Sequence, residues 1–351
     1  MNYQFSKGIT VGLVAISVWS CRTSDPDPTP YGGGVYIVNQ GIVSDNNGTL
    51  SYLSRSSDTI ATNIFVQANP ELKITGGVQD YTEINGKGLL LVDNATVGLD
   101  KVEVVESGTF KTRITLRTPD IENPRRVIQV GLNKAYVSCW DVSGNLSAGT
   151  FYKDPGYIAV VDLNSGTVLK KIPAMKGVEA MVMAGSEVFA GSVSNSGDKT
   201  LLIINTEINE VKQRIDFSTA PRPIAIDAEG KLWIVVGSEI VRMDIATRVI
   251  EKRLNLMGVP TAITISRDKK TFYYSANSRT YKFGINDALA STVVFNRPFS
   301  ALGADPQTGR LYGSQYPVST TQAGYILRYE ESGVLIDSIK AGIAPSGFYF
   351  R

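Results

Sequence analysis

The feature that most constrains this chain is a hairpin that recurs along it. The clearest copy is YIAVVDLNSGTVLKKI (157–172): an alternating strand, a turn at Asn164-Ser165-Gly166, and a second alternating strand. Others are KVEVVESGTFKTRITL (101–116), LLIINTEINEVKQRI (201–215), EIVRMDIATRVIEKRL (239–254) and YILRYEESGVLIDSI (325–339). Period-two alternation with Asx or Gly chemistry at the tip is the pattern of an antiparallel hairpin. The segment after each hairpin also recurs. A short stretch, often containing Pro, leads into an apolar strand, as in NPRRVIQV (123–130), APRPIAID (220–227), VPTAITIS (259–266) and APSGFYF (344–350). A further strand then opens on a Gly or Lys turn: KAYVSCW (134–140), KLWIVVG (231–237), TFYYSAN (271–277) and RLYGSQY (310–316).

Four short strands per unit at a spacing of roughly 46 residues predict an all-β chain, a β-propeller with four-stranded antiparallel blades. Cutting before each hairpin puts unit starts near Asn47, Ala95, Val142, Asn195, Glu239, Arg279 and Tyr325, which makes seven blades. The last unit runs out at Arg351 after three strands, and VYIVNQG (35–41) has the form of the missing fourth. The N-terminal strand is therefore expected to close the last blade and leave no open sheet edge. Eight blades, with one hidden in the long first unit, and a pair of β-sandwiches are the alternative architectures.

Ahead of the repeats the chain reads as an address. Lys7 precedes the apolar run GITVGLVAISVW (8–19), and Ser20 stands before Cys21. A charged start, about a dozen apolar residues and a small residue at the cut describe a secretory leader over 1–20, too short to span a bilayer. Cys21 directly after Ser20 resembles the lipobox of bacterial lipoproteins, which implies lipidation of that Cys; a plain signal peptide is the alternative. Residues 21–32 would then be the lipidated Cys and a tether stiffened by Pro26, Pro28 and Pro30, with the propeller over 33–351. The expected location is the outer membrane, through the lipid anchor only, with the propeller exposed at the cell surface.

Several of these residues carry a family resemblance. The turn from Asp162 to Val168, the Pro before the inner strand, and the K-A-Y-V or K-L-W-I strand after it resemble the YVTN-type, YncE-like seven-bladed propellers. VYIVNQG followed by DNNGTLSYL (45–53) resembles the start of lipoprotein propellers that include the BtuG-type cobalamin-capture proteins of Bacteroidetes-type bacteria. Gln40 stands where that family commonly carries Glu. The resemblance covers the mature chain and implies capture of a scarce solute, such as a corrinoid, for a TonB-dependent outer-membrane transporter. A propeller for protein or glycan recognition at the cell surface is the alternative function.

Composition narrows the chemistry. The chain has no histidine and two cysteines, so His/Cys zinc sites, Ser-His-Asp triads and Cys-His dyads lack raw material. A net charge of +2 leaves no nucleic-acid footprint. A non-enzymatic role without cofactor or metal is predicted; a lyase, lactonase or glycosidase is the disfavoured third reading. Asp45-Asn46-Asn47-Gly48 reads as a β-turn, since the spaced acids of a calcium loop are missing. Cys139 reads as a semi-buried thiol, with no His to activate it.

Binding residues are expected on the face where the inner strands begin and where the loops joining second and third strands also lie. The longest such loop, WDVSGNLSAGTFYKDPG (140–156), would place Trp140 and Tyr152 on the rim beside Phe151 and Lys153. SQYPVSTTQAG (314–324) adds Gln315 and Tyr316 across the ring. Positions that open inner strands supply Asp80 with Tyr81, Arg125, Glu179, Arg222 and Arg297. Arginine's planar fork suits carboxylate, phosphate or amide groups. Arg126 is expected to alternate into the barrel wall. For the charged set the alternative is mutual pairing across the rim, and for the aromatics it is packing of the loops.

Overall fold

The computed structural model describes residues 1, 30–141, 154–316 and 322–351. Among them, seven four-stranded antiparallel sheets stand in a ring with their first strands inward. The inner strands are Gly77–Ile84, Pro124–Gly131, Val178–Ala184, Pro221–Ile226, Ala262–Ile265, Ala301–Ala304 and Pro345–Phe350. Blades 1 to 6 are continuous in sequence, over 77–117, 124–173, 178–216, 221–255, 262–295 and 301–343. Blade 7 joins Pro345–Phe350 to Gly34–Asn39, Thr49–Ser54 and Ile60–Ala61. No helix among the described residues is long and apolar enough to cross a membrane.

The core is divided among the interfaces between blades, and the strand sequences reflect that division. A strand covered on both faces reads as an unbroken apolar run. In Leu232–Val236, Leu232, Ile234 and Val236 join the core against blade 3, while Trp233 and Val235 join the core against blade 5. Each of the seven interfaces has such a cluster. Outermost strands, such as Thr167–Pro173, cover one face and keep the period-two alternation.

The ring closes through the two ends of the chain, as expected, with a shifted boundary. A unit cut ahead of its hairpin runs from the outer half of one blade to the inner half of the next. Blade 7 therefore takes one strand from the C-terminus and three from the N-terminus, with Val35 opposite Phe350, Tyr36 opposite Tyr349 and Ile37 opposite Phe348. The extra length of the first unit is the connection 62–76, not an eighth blade. Its helix, Ile64–Ala68, sends Ile64 and Phe65 into the core between blades 7 and 1.

Tyr31 lies in that same core, 9% exposed, and its carbonyl accepts a hydrogen bond from Arg351 Nη1 at 3.1 Å. The folded unit thus begins before Gly33, because the cluster of Tyr36, Tyr52 and Phe110 needs one more ring to cover it. The expected leader from residue 2, Cys21 and the expected tether as far as residue 29 lie outside the described residues.

Candidate functional site

All inner strands start at one face of the disc, here termed the mouth. Five of them bulge close to it, where pairing with the second strand shifts register at Val78/Asp80, Pro124/Arg126, Val178/Met181, Pro223/Ala225 and Pro345/Gly347. A bulge sets two residues opposite one and re-aims the side chains beside it. In blade 2, Pro124 faces Cys139 and Arg126 faces Ser138, so Arg125 is the extra residue. Its guanidinium turns into the wall, 3.6 Å above the Trp140 ring and 2.8 Å from Asp93. Arg126 lines the central channel instead, its side chain 40% exposed against 12% for Arg125. The expected roles of Arg125 and Arg126 are therefore exchanged, and the bulge is the cause.

Charges alternate around this part of the mouth. Beyond its contact with Asp93, Arg125 lies 3.7 Å from Glu179; Glu179 lies 3.5 Å from Arg126, and Arg126 lies 4.0 Å from Asp80. Asp80 also accepts from the backbone N–H groups of Tyr81 and Val127, both at 3.0 Å. Burial raises the Asp80 carboxyl above the usual range, against the pull of Arg126 and those two amides. Asp93 is pushed up to about 6, chiefly by burial, with Arg125 opposing and Asp100 adding to the rise. For Arg126 burial works against the charge, yet Glu179 and Asp80 outweigh it and its pKa rises.

Arg222 lacks that compensation. Among the described residues it makes one hydrogen bond, from Nη2 to the Pro260 carbonyl at 3.1 Å, and no salt bridge. Burial lowers its pKa and the like charge of Arg126 adds to the effect, with Glu179 opposing.

Two adjoining cavities open at the mouth. The central channel, about 350 Å³, has Asp80 and Arg126 on one side and Ile224, Ile263, Leu302 and Phe348 on the other. Ser300 and Ser346 add hydroxyls to its wall. The lateral cavity, about 240 Å³, lies between blades 3 and 4; it shares Arg126, Ala180 and Arg222 with the channel and is walled by Val193, Val235 and Pro260. Such a site suits a solute with polar or anionic groups on an apolar body.

The other expected residues divide. Glu179 and Arg222 reach the mouth as expected. Tyr81 does not: next to Asp80 on a strand, it points the opposite way, 2% exposed between Tyr36 and Phe110, and its hydroxyl donates to Glu83 at 2.8 Å. Trp140 is 6% exposed beneath Arg125, which makes it a wall residue and not a rim residue. Arg297 is exposed on the loop ahead of Ala301–Ala304, where its carbonyl accepts from Thr280 Oγ1 at 2.9 Å, and it lines neither cavity. Half-buried Gln315 ends the strand Leu311–Gln315, and the Tyr316 hydroxyl stands against Ser300 of the channel wall. Phe151, Tyr152 and Lys153 lie outside the described residues.

Two minor expectations also resolve. Cys139 is fully buried in the core between blades 1 and 2, and burial pushes its thiol up to about 12. Asp45-Asn46-Asn47-Gly48 is a turn, with Asn46 left-handed at φ 50° and Asn47 Oδ1 accepting from the Ile42 N–H at 2.7 Å. The sequence pattern assigns Arg126 to the wall and does not mark Ser300, Ser346 or the apolar channel wall. Arg222 with Ile224, and Ser346 with Phe348, stand two apart and line the channel together.

A closed β-propeller with a concave, charged mouth is a frame for a binding or scaffold role. The chain belongs to the family described as a domain of unknown function, DUF5074, whose profile matches residues 33–337. No curated protein sequence matches it. Among solved structures it is similar to a quinonprotein alcohol dehydrogenase-like protein from Bacteroides thetaiotaomicron, with TM-score 0.70 and 13% identity, covering 92% of this chain and 78% of that one. It is also similar to a functionally unknown protein from Desulfotomaculum acetoxidans, with TM-score 0.61 and 13% identity, covering 91% and 98%. At such identities the likeness shows the propeller fold alone.

Proposed function

We propose that this chain is a lipid-anchored, non-catalytic binding protein that captures a scarce solute at its mouth and passes it to a TonB-dependent outer-membrane transporter. The observation that carries the reading is one concave site lined by Arg126 and Arg222 together with Ile224, Ile263, Leu302 and Phe348. Guanidinium groups orient carboxylates, phosphates and amides, and the aliphatic and aromatic wall takes the apolar remainder. A corrinoid, with amide arms around a flat macrocycle, has both kinds of surface and would cap the mouth, sending an arm inward. The likeness of the opening strand and of DNNGTLSYL to cobalamin-capture propellers supports that candidate. The leader and Cys21 support the anchor.

A non-catalytic role accords with the side chains available. The chain has no histidine, and Cys139 is sealed in a core. Glu179 stands between Arg125 and Arg126, and Asp93 and Asp80 each meet one of those arginines, an arrangement that holds charge in place.

Calorimetric titration of the full chain in detergent with corrinoids, haem and siderophores is expected to give submicromolar binding of one of them. Failure of the whole panel to bind below the micromolar range would reassign the mouth to protein or glycan recognition. Anchoring has its own test. Cys21→Ala is expected to move the protein from the membrane fraction to the soluble fraction, and persistence in membranes would remove the lipid anchor from the reading.

A further inference from the structure

Arg222 is held in an unusually fixed position. Pro221 and Pro223 flank it and restrict the backbone on both sides. Blade 3 meets blade 4 backbone to backbone at this point. A Cβ built on Gly191 would stand 2.0 Å from the Pro221 carbonyl oxygen and 2.6 Å from Pro223 Cδ, so only glycine permits the contact. Pro260, itself buried, accepts one N–H of the guanidinium. The remaining donors have no partner among the described residues, and they belong to a side chain that lines the lateral cavity.

We propose that this lateral cavity is a subsite for a small organic monocarboxylate held by Arg222; the inference rests on the reading of the mouth as a binding site and names the chemistry it takes. The charges on the wall are Arg126, Arg222 and Glu179, and Glu179 lies 3.5 Å from Arg126. Asp80 also meets Arg126, at 4.0 Å, so among the described residues the charge with no acid in contact is that of Arg222. A monoanion balances it, whereas a phosphate monoester brings a second negative charge toward Glu179. Val193, Val235, Val259 and Pro260 give the wall an apolar side, beside Ser192 and Ser194, and that side favours an acid with a hydrocarbon body over an inorganic anion. About 240 Å³ is roughly eight water volumes, the scale of one aromatic ring or a short acyl chain. The carboxylate can belong to a free acid or to a side arm of a larger solute.

The test uses benzoate, benzamide and phenyl phosphate as probes of the full chain, with binding read by ligand-observed NMR. Benzoate is expected to bind at least about tenfold more tightly than the other two, and Arg222→Gln to weaken it by about tenfold or more, the scale of one charge-assisted contact. Equal binding of benzamide, tighter binding of phenyl phosphate, no benzoate binding in the millimolar range, or an unchanged affinity in Arg222→Gln overturns the proposal. If Arg222→Gln does not fold, Val259→Trp serves instead: Val259 is 56% exposed, and its enlargement fills the cavity from the rim. Retained benzoate binding in that variant overturns the site equally. Displacement of benzoate by a panel solute that carries carboxylate arms, such as haem, identifies a side arm as the source, and binding of benzoate without any panel solute identifies a free acid. The second outcome leaves the subsite standing while the capture reading falls, so the two fail separately.

Discussion

Truncation after Ile343 is expected to unfold the entire protein and not one blade. The lost strand, Pro345–Phe350, is the innermost of blade 7 and belongs to two interfaces at once. Phe348 and Phe350 pack on Tyr312 of blade 6, with ring centroids 5.9 and 5.3 Å away, and Tyr349 packs on Tyr81 of blade 1 at 5.5 Å. Two anchors at the chain end go with it: Arg351 Nε lies 3.2 Å from Glu83, and the Arg351 carbonyl accepts from Arg55 Nη1 at 2.6 Å. Three rings at roughly 200 Å² each and about 25 cal/mol per Å², discounted for their partial exposure, amount to on the order of 10 kcal/mol. That is comparable with the whole stability of a typical domain, about 5–15 kcal/mol. An open repeat array loses an end unit at the cost of one interface, whereas a ring also loses its closure. Calorimetry and near-UV circular dichroism read the result; a single cooperative transition within a few degrees of wild type would contradict the closure argument.

The second large effect is expected from Asp227→Ala, far from the mouth. Asp227 sits at the turn between the first and second strands of blade 4, 3% exposed. One carboxylate oxygen accepts from Trp233 Nε1 and Arg242 Nε, both at 2.8 Å, and the other from the backbone N–H groups of Glu229 and Lys231, both at 2.9 Å. Removing the carboxylate leaves the buried Trp233 indole N–H and the Arg242 Nε–H without their acceptor, while Glu229 and Glu251 still hold the rest of the guanidinium, a loss of about 2–4 kcal/mol. In a chain of this size that corresponds to a melting temperature roughly 5 °C lower. Asp227→Asn, which keeps an acceptor, is expected to fall between the two. A shift of less than about 2 °C in the alanine variant would show that the network is dispensable.

The pH dependence of that difference has a definite sign. Burial by itself raises the Asp227 carboxyl, but the Lys231 amide, the Trp233 indole and Arg242 outweigh it and hold the pKa below the usual range. A depressed folded value contributes stability above the unfolded pKa of about 4, and the contribution is lost as pH falls through the folded value. The gap between wild type and Asp227→Ala should therefore narrow in acid and stay constant from about pH 5 upward. A gap that stays constant in acid would assign the effect to packing instead of charge.

The two predictions draw on features that differ in how readable they were. The turn acid recurs in the written repeat: Asp227 before KLW, Asp305 before RLY, and Ser266 in the same place before TFY. Asp305 is fully buried and bound by Arg55 through two contacts at 2.7 and 3.0 Å, so the repeat marks a structural position. The closing strand was readable as a pairing of the two ends, but not as one strand added to three. Hairpins announce themselves through their turns, and the turn lies in the outer half of a blade, so a unit cut by its hairpin starts half a blade late.

Site residues were harder to place, for a reason visible at Asn123-Pro124-Arg125-Arg126. Strict alternation assigns Arg125 to the mouth and Arg126 to the wall, and a single bulged residue reverses both. Asp80 and Tyr81 show the same sensitivity: adjacent on a strand, one meets the channel and the other an aromatic core. Trp140, at the edge of the longest loop, has the composition of a rim contact, yet Arg125 stacks on it and closes it off.

What the sequence by itself determined is the set of short-range and periodic properties. These are the number of strands, their grouping by fours into seven blades, the prolines that open the inner strands, and the lack of histidine chemistry. Each depends on residues a few positions apart, or on a repeat long enough to be counted. What only the tertiary structure decided is which side chains share the mouth. That depends on register shifts of one residue and on the meeting of blades 3 and 4 at Gly191 and Pro221, contacts between segments far apart in the chain. A one-residue shift moves a side chain from one face of a strand to the other while leaving the alternation pattern nearly unchanged. Arg222 thus carries the same letter in any register, and the fold makes it the cation of the lateral cavity that no acid pairs among the described residues.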